Sequence, residues 1–486
     1  MPMRGTFRSV GIAAAIVGLS AGGAAVDEVT AGTVVVVGTG DPARDVPAVQ
    51  AAVDLGGVVL LEGTFDFGTH AGNHILVPGR VGSAQDDKGK STVFVCRRDV
   101  TILGETDDRG NLLTTIRHGM PPFWIGWDGN VSRARPPGTA NLDYGIESLP
   151  QDSVGRVSYR DTGPETGYQG PQTRYAVGFP QVNATIQHIR FESPRQYGIK
   201  ATCGRNVAVL ENIFQDVRWG GLVHLNNFAA ASHFAVGFGA VGGFYAPFIT
   251  PSVTGSVIFQ GNRVEDVGTE IINTHGGECF GLGGLLTNAA LTITGNDVRN
   301  VGRKPDGTGP GAFAASILLI DNRGGAPFVG NNTIQNSSAI GIWDLTAVSS
   351  SPSPLIVDNK IEDCPTGIEA GSWGPPKFGV VIRSNRISQG AAFKSGKACI
   401  KQSSASSYCI DLNVFRGAFD EGVRLVNCSN GLVLWNNAAA LATPAGGATY
   451  YLGEASCGNT IRAQSGIVVS AGTCGNDVAV DEPGEP

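Results

Sequence analysis

Charge is scarce in this chain. Only 16% of its 486 residues are charged and 7% are aromatic, against roughly 25% charged in ordinary soluble domains. The formal net charge is −7 and no basic stripe stands out, so the electrostatic footprint of a nucleic-acid binder is missing. No Cys-x-x-Cys occurs, which removes the usual ligand spacing of a structural zinc site. Beyond the N-terminus no apolar run approaches the roughly 20 residues that a membrane-spanning helix needs. Gly, by contrast, is abundant at 70 residues. With Val, Ile, Thr, Ser and Asn it dominates long stretches, a mix suited to short strands and tight turns and poor in long helices.

The N-terminus reads as a secretory leader over residues 1–25. Arg4 and Arg8 form a basic start, 10–19 is a short apolar segment, and Gly23-Ala24-Ala25 supplies small residues for cleavage. The expected location is therefore extracellular or periplasmic, with no membrane attachment after cleavage. Nine cysteines fit an oxidising compartment, and their odd number leaves at least one thiol unpaired within the chain.

One phrase recurs along the chain: apolar, any, apolar, two residues, Asn, any, apolar. It is read at Val207, Val209, Asn212, Phe214; at Val257, Phe259, Asn262, Val264; and at Leu291, Ile293, Asn296, Val298. It continues through Asn332, Asn359, Asn385 and Asn413 and ends at Leu432, Leu434, Asn437. Val100-Thr101-Ile102 and Thr185-Ile186 running into Phe191 keep the same register without Asn. Alternate residues of a strand face one side, so the paired apolar positions line a common interior, and stacked coils lie roughly 4.8 Å apart. Asn tolerates the left-handed backbone of a sharp corner, and stacked Asn side chains can hydrogen-bond from coil to coil. After each Asn phrase comes a second strand announced by Gly, as in Tyr197-Gly198-Ile199-Lys200, Ile340-Gly341-Ile342-Trp343, Thr366-Gly367-Ile368-Glu369 and Glu421-Gly422-Val423-Arg424. A β-sandwich would explain the alternation but not a fixed phrase repeated eight times. The reading is an all-β solenoid over 33–480, interrupted by long excursions at about 127–181 and 226–254, with an acidic, Pro-rich and disordered tail at 481–486.

The entry is also legible. Val46, Ala48-Val49 and Ala52-Val53 recur at helical spacing, and a strand ending in Gly63-Thr64-Phe65 follows. A short helix there would cover an open strand edge. This arrangement resembles the N-terminal cap of the pectin-lyase-like superfamily. The resemblance spans about 40–475 and implies a right-handed parallel β-helix. It also implies that a polysaccharide, where one is bound, lies in a groove along one sheet.

The resemblance does not choose a reaction. The Asn-Thr-Asp and Gly-His-Gly phrases of the polygalacturonase branch are absent, and the only Asp pairs are Asp86-Asp87 and Asp107-Asp108. No cofactor is evident and no calcium cluster is recognisable, although calcium itself is left open. Polar residues do gather on the Gly-led strands. Arg195, Tyr197 and Lys200 lie on one, Arg218, Trp219 and His224 on the next, and Glu270, Asn273 and His275 on the third. A lyase on an acidic polymer needs a cation beside the substrate carboxylate, a base and an acid. Lys200 or Arg218 could supply the first, His224, Tyr197 or His275 the second, and Glu270 the third. Trp219, Arg195, Trp343 and Glu369 are candidate substrate contacts, and Asp321, Asp344, Lys401 and Arg424 lie further along the same face. Solvated surface residues of any solenoid would look much the same. Candidate disulfides are Cys428 with Cys457, one coil apart, and Cys399 with Cys409. The readings in competition are a lyase or glycosidase on an extracellular polysaccharide, a non-catalytic glycan binder, and a purely structural solenoid, each expected as a monomer.

Overall fold

The computed structural model describes residues 32–68, 99–118, 183–217, 255–268, 279–302, 314–346, 352–390 and 396–480, less short gaps, with isolated strands at Phe94–Cys96, Phe123–Ile125, Arg156–Ser158, Arg174–Ala176 and Gly220–Leu225. The expected leader, the excursion 226–254 and the tail lie outside these residues. So does 127–181, apart from one antiparallel strand pair.

Each coil contributes three strands, and each strand pairs in parallel with its counterpart one coil on. In the first sheet Ile186 pairs Val209, which pairs Phe259, then Ile293. In the second, Phe191 pairs Phe214, then Val264, then Val298. In the third, Ile317 pairs Ile342, then Ile368, then Ile400. These apolar rows are buried throughout and form one continuous core. The fold is thus the expected all-β, right-handed parallel β-helix, the hand that parallel crossovers almost always take.

The corner between the first and second sheets carries the Asn ladder. Asn296, 1% exposed, shows the pattern. Its Nδ2 donates to the Phe259 carbonyl at 2.9 Å and to Asn332 Oδ1 at 2.9 Å, while its Oδ1 accepts from the Asn262 backbone N–H at 2.9 Å. The same bonds run from Asn212 to Asn413. Each side chain therefore satisfies backbone groups that a sharp corner would leave orphaned in a dry interior. The last rung corrects the sequence reading. Asn413 donates from its N–H and its Nδ2 to Asn436 Oδ1, whereas Asn437 meets it only through the main chain, and Val433 is buried while Leu432 is exposed. A one-residue slip exchanges the two faces of a strand, and the two outward leucines had imitated an inward pair.

Helix α1, Pro42–Leu55, caps the N-terminal end, with the Asp41 side chain accepting from the Ala43 N–H and Pro42 in the first turn. Buried Asp45 ties it down. Its carboxylate accepts from the Thr39 N–H at 2.8 Å, the Thr39 hydroxyl at 2.7 Å and the Asp66 N–H at 2.9 Å.

Near the C-terminus Cys457 bonds Cys474. This overturns both expected pairings. Cys428 and Cys399 are buried free thiols and Cys409 is a half-buried one. Cys457 does sit one coil above Cys428, donating its N–H to the Cys428 carbonyl, but stacking of main chains does not choose which sulfurs meet. Burial pushes the Cys428 thiol up to about 11, so it stays a small apolar filler.

Candidate functional site

The third sheet, made of the Gly-led strands, carries the candidate site on its outer face. Gly367 leads its strand because a Cβ there would stand 2.5 Å from the Cys399 carbonyl oxygen and 2.6 Å from Ile387 Cγ2. That close approach turns the next positions in a fixed sense. Ile368 faces the core, Glu369 faces out and Ala370 faces in.

The outward row then reads Lys200, Val223, Gly283, Leu318, Trp343, Glu369, Lys401, Arg424, Tyr451. Its later members carry charge. Lys401 Nζ donates to Glu369 Oε1 at 2.7 Å, and Arg424 Nη1 donates to Glu421 Oε1 at 2.7 Å. The Arg424 guanidinium lies 4.7 Å above the centre of the Tyr451 ring, a cation–π stack. Around these groups opens a cleft of about 690 Å³, lined also by Ile340, Thr366, Lys397 and Asp420. Lys397 and Asp420 stand exposed at its rim on neighbouring rungs. Three cations and three carboxylates therefore share one depression, with the inner pairs locked to each other. Such pairs hold donors and acceptors in place without leaving net charge. A shallower groove of about 350 Å³ runs along the first sheet beside Asp99, Asn183 and Asn206, where Asn183 bonds both neighbours.

The residues expected to do chemistry are distributed differently. Arg195, Arg218, Trp219, Glu270, Asn273 and His275 lie outside the described residues, as does Asp321. Tyr197, Lys200 and His224 fall in described strands. Lys200 takes the outward row above. His224 aligns with Ala201, and its row continues through Leu319, Asp344, Ala370 and Gln402, all buried. Lys200 and His224 thus occupy alternate rows, whereas the sequence reading had put both on one face.

Trp343 also departs from expectation. It was read as an exposed substrate contact, but it is 5% exposed. Asp344, expected on the outer face, faces the interior and receives Lys377 Nζ at 2.5 Å, an ion pair buried on both sides. Glu369, Lys401 and Arg424 do lie along one outer face, as their strand positions implied, and they line one cleft. Lys397 and Asp420 were missed. Each lies four residues before a charged member of the outward row, Lys401 and Arg424, a regularity that could have revealed them. Among the described residues no three His, Cys, Asp or Glu side chains converge as metal ligands would.

No family model and no curated protein matches the chain. Among solved structures it is similar to tailspike protein 3 of bacteriophage CBA120, at 11% identity over 91% of this chain and 58% of that one, with a TM-score of 0.43. It is also similar to the A-module of the Azotobacter vinelandii mannuronan C-5 epimerase AlgE4, at 10% identity over 92% and 96%, TM-score 0.43. A third is the Yersinia enterocolitica family 28 exopolygalacturonase, at 12% over 93% and 77%, TM-score 0.38. The chain spans little more than half of the tailspike's length. The parallel β-helix derived above rests on the strand register of this chain.

Proposed function

We propose that the protein is an exported, carbohydrate-active β-helix protein that holds a polysaccharide in the cleft of the third sheet. The observation that carries this reading is the row Glu369, Lys401, Arg424, Tyr451. It combines fixed hydrogen-bonding groups with an aromatic ring that offers a flat face. Export rests on the basic and apolar start of the chain and is supported by the Cys457–Cys474 bond. The test is affinity electrophoresis on gels containing acidic or neutral polysaccharides. Wild type should be retarded by at least one polymer, and Arg424→Ala should weaken that retardation about tenfold, or ~1.4 kcal/mol. Retardation identical in the two proteins would remove the cleft from the account.

A second reading, that the protein is a lyase or glycosidase, is favoured by three carboxylates, Glu369, Asp420 and Glu421, lining one cleft, since glycoside hydrolysis runs on paired carboxyl groups. The sequence reading gave the base of a lyase to His224, but its row runs on through buried residues and apart from this cleft, so a lyase acting here draws its base from these carboxylates. Reducing ends and unsaturated product should be followed with and without calcium, for wild type and Glu369→Gln. An unsaturated product lost in the variant supports the lyase, whereas reducing ends without unsaturation support a hydrolase. Absence of turnover on a polymer that is bound leaves the binding reading alone.

A further inference from the structure

The charges of the third-sheet cleft cancel. Six charged side chains line it, the cations Lys397, Lys401 and Arg424 and the carboxylates Glu369, Asp420 and Glu421. The inner four are already committed to each other. Lys401 Nζ donates to Glu369 Oε1 and Arg424 Nη1 to Glu421 Oε1, each at 2.7 Å, and the Arg424 guanidinium is held over the Tyr451 ring as well. The carboxylates are the more buried partners, with side chains 20% and 13% exposed. Lys397 and Asp420 make no ion pair among those described, but they occupy opposing positions on neighbouring rungs, roughly 4.8 Å apart. Each cation of the cleft therefore has a carboxylate beside it. The chain as a whole is also negative, at −7, which repels polyanions when screening is weak.

This arrangement treats carboxylates and hydroxyls differently. A uronate carboxylate drawn to Lys401 or Arg424 meets Glu369 or Glu421 on the same cation. It must either stand against that like charge or displace a largely buried carboxylate from its partner, and both cost free energy. A sugar hydroxyl donates and accepts at once, so it can bond to both members of a pair and leave the pair closed. We infer that the cleft selects an uncharged glycan and rejects polyuronates. This rests on the glycan-binding reading above and adds the substrate class. It also divides the enzyme reading, because elimination beside a carboxylate needs a uronate and hydrolysis does not.

The experiment removes charge from the polymer and keeps its linkages. Polygalacturonate, alginate and xanthan are each used before and after carboxyl reduction, which turns the carboxylate into a primary alcohol, alongside dextran and galactomannan. Affinity gels are run at about 20 mM salt, where screening is weak. Wild type should be retarded by uncharged polymers, and any reduced polymer that retards it should do so roughly tenfold more strongly than its acidic parent. Asp420→Asn gives the cleft one net positive charge and should narrow that gap about threefold. A gap that the substitution leaves unchanged places the selection outside the cleft and overturns the inference. An acidic parent that retards wild type as strongly as its reduced form, or more strongly, also overturns it while leaving glycan binding intact. No retardation by any polymer, charged or uncharged, overturns the glycan-binding reading and this inference with it.

Discussion

Replacing Asn296 by Ala probes the ladder at its centre. The side chain is buried and makes bonds in both directions along the axis. Alanine leaves the Asn262 N–H without its acceptor and the Phe259 carbonyl without the Nδ2 donor. The bond from the Asn296 backbone N–H to Asn332 Oδ1 survives. Two orphaned backbone groups at about 1–3 kcal/mol each put the loss at about 3 kcal/mol, allowing for partial relaxation. Urea unfolding followed by far-UV circular dichroism measures it. Asn437→Ala is the internal control, because Asn437 is exposed, its side chain accepts only from the nearby Ala439 N–H among the hydrogen bonds described, and its main-chain bond to the Asn413 carbonyl survives the change. That substitution should cost under about 0.5 kcal/mol, whereas Asn436→Ala should cost as much as Asn296→Ala. Equal effects of Asn436→Ala and Asn437→Ala, or a negligible effect of Asn296→Ala, would refute the reasoning.

Three further outcomes follow from the same packing. Asp344→Ala strands the Lys377 ammonium in the interior and should cost about 3–5 kcal/mol in urea unfolding, while Asp344→Leu combined with Lys377→Met should recover most of that loss. Cys474→Ser opens the bond that closes a 17-residue separation and should cost about 3 kcal/mol on loop-entropy grounds, with proteolysis beginning at the C-terminal coil. Burial raises the Cys428 thiol from 9.0 to about 11. A folded-state value above the unfolded one stabilises fully below pH 9 and is lost as pH rises towards 11. Wild type should therefore lose more stability than Cys428→Ala between pH 7 and pH 10.5.

Much of the fold was legible because the solenoid repeats a single local solution. The Asn corner recurs wherever backbone groups need a partner, and the leading Gly recurs wherever a neighbouring carbonyl leaves no room for a Cβ, as at Gly367. The failures come where local pattern and packing diverge. Leu432 and Leu434 are as apolar as a core pair yet face outward, so alternation alone misplaced the last rung. Trp343 stands in an outward row, and nothing in the alternation of its strand reveals that it is buried there. Asp344 looked like surface because a charge is costly to bury unpaired, and its partner Lys377 lies 33 residues away. Cys457 and Cys474 are joined by coil geometry that spacing does not encode. Of the candidate site, Glu369, Lys401 and Arg424 followed from the Gly-led register, while Lys200 and His224 were placed together by proximity along the chain without regard to alternate facing.

The central claim, that a polysaccharide occupies the third-sheet cleft, is tested most directly by lysine footprinting. Reductive methylation is run with and without the polymer that retards the protein, and Lys397 and Lys401 are compared with Lys360, which is exposed on the second sheet and paired with Glu362. The account predicts that polymer protects Lys397 and Lys401 and leaves Lys360 labelled as before. Equal labelling at all three lysines in the presence of bound polymer would contradict it.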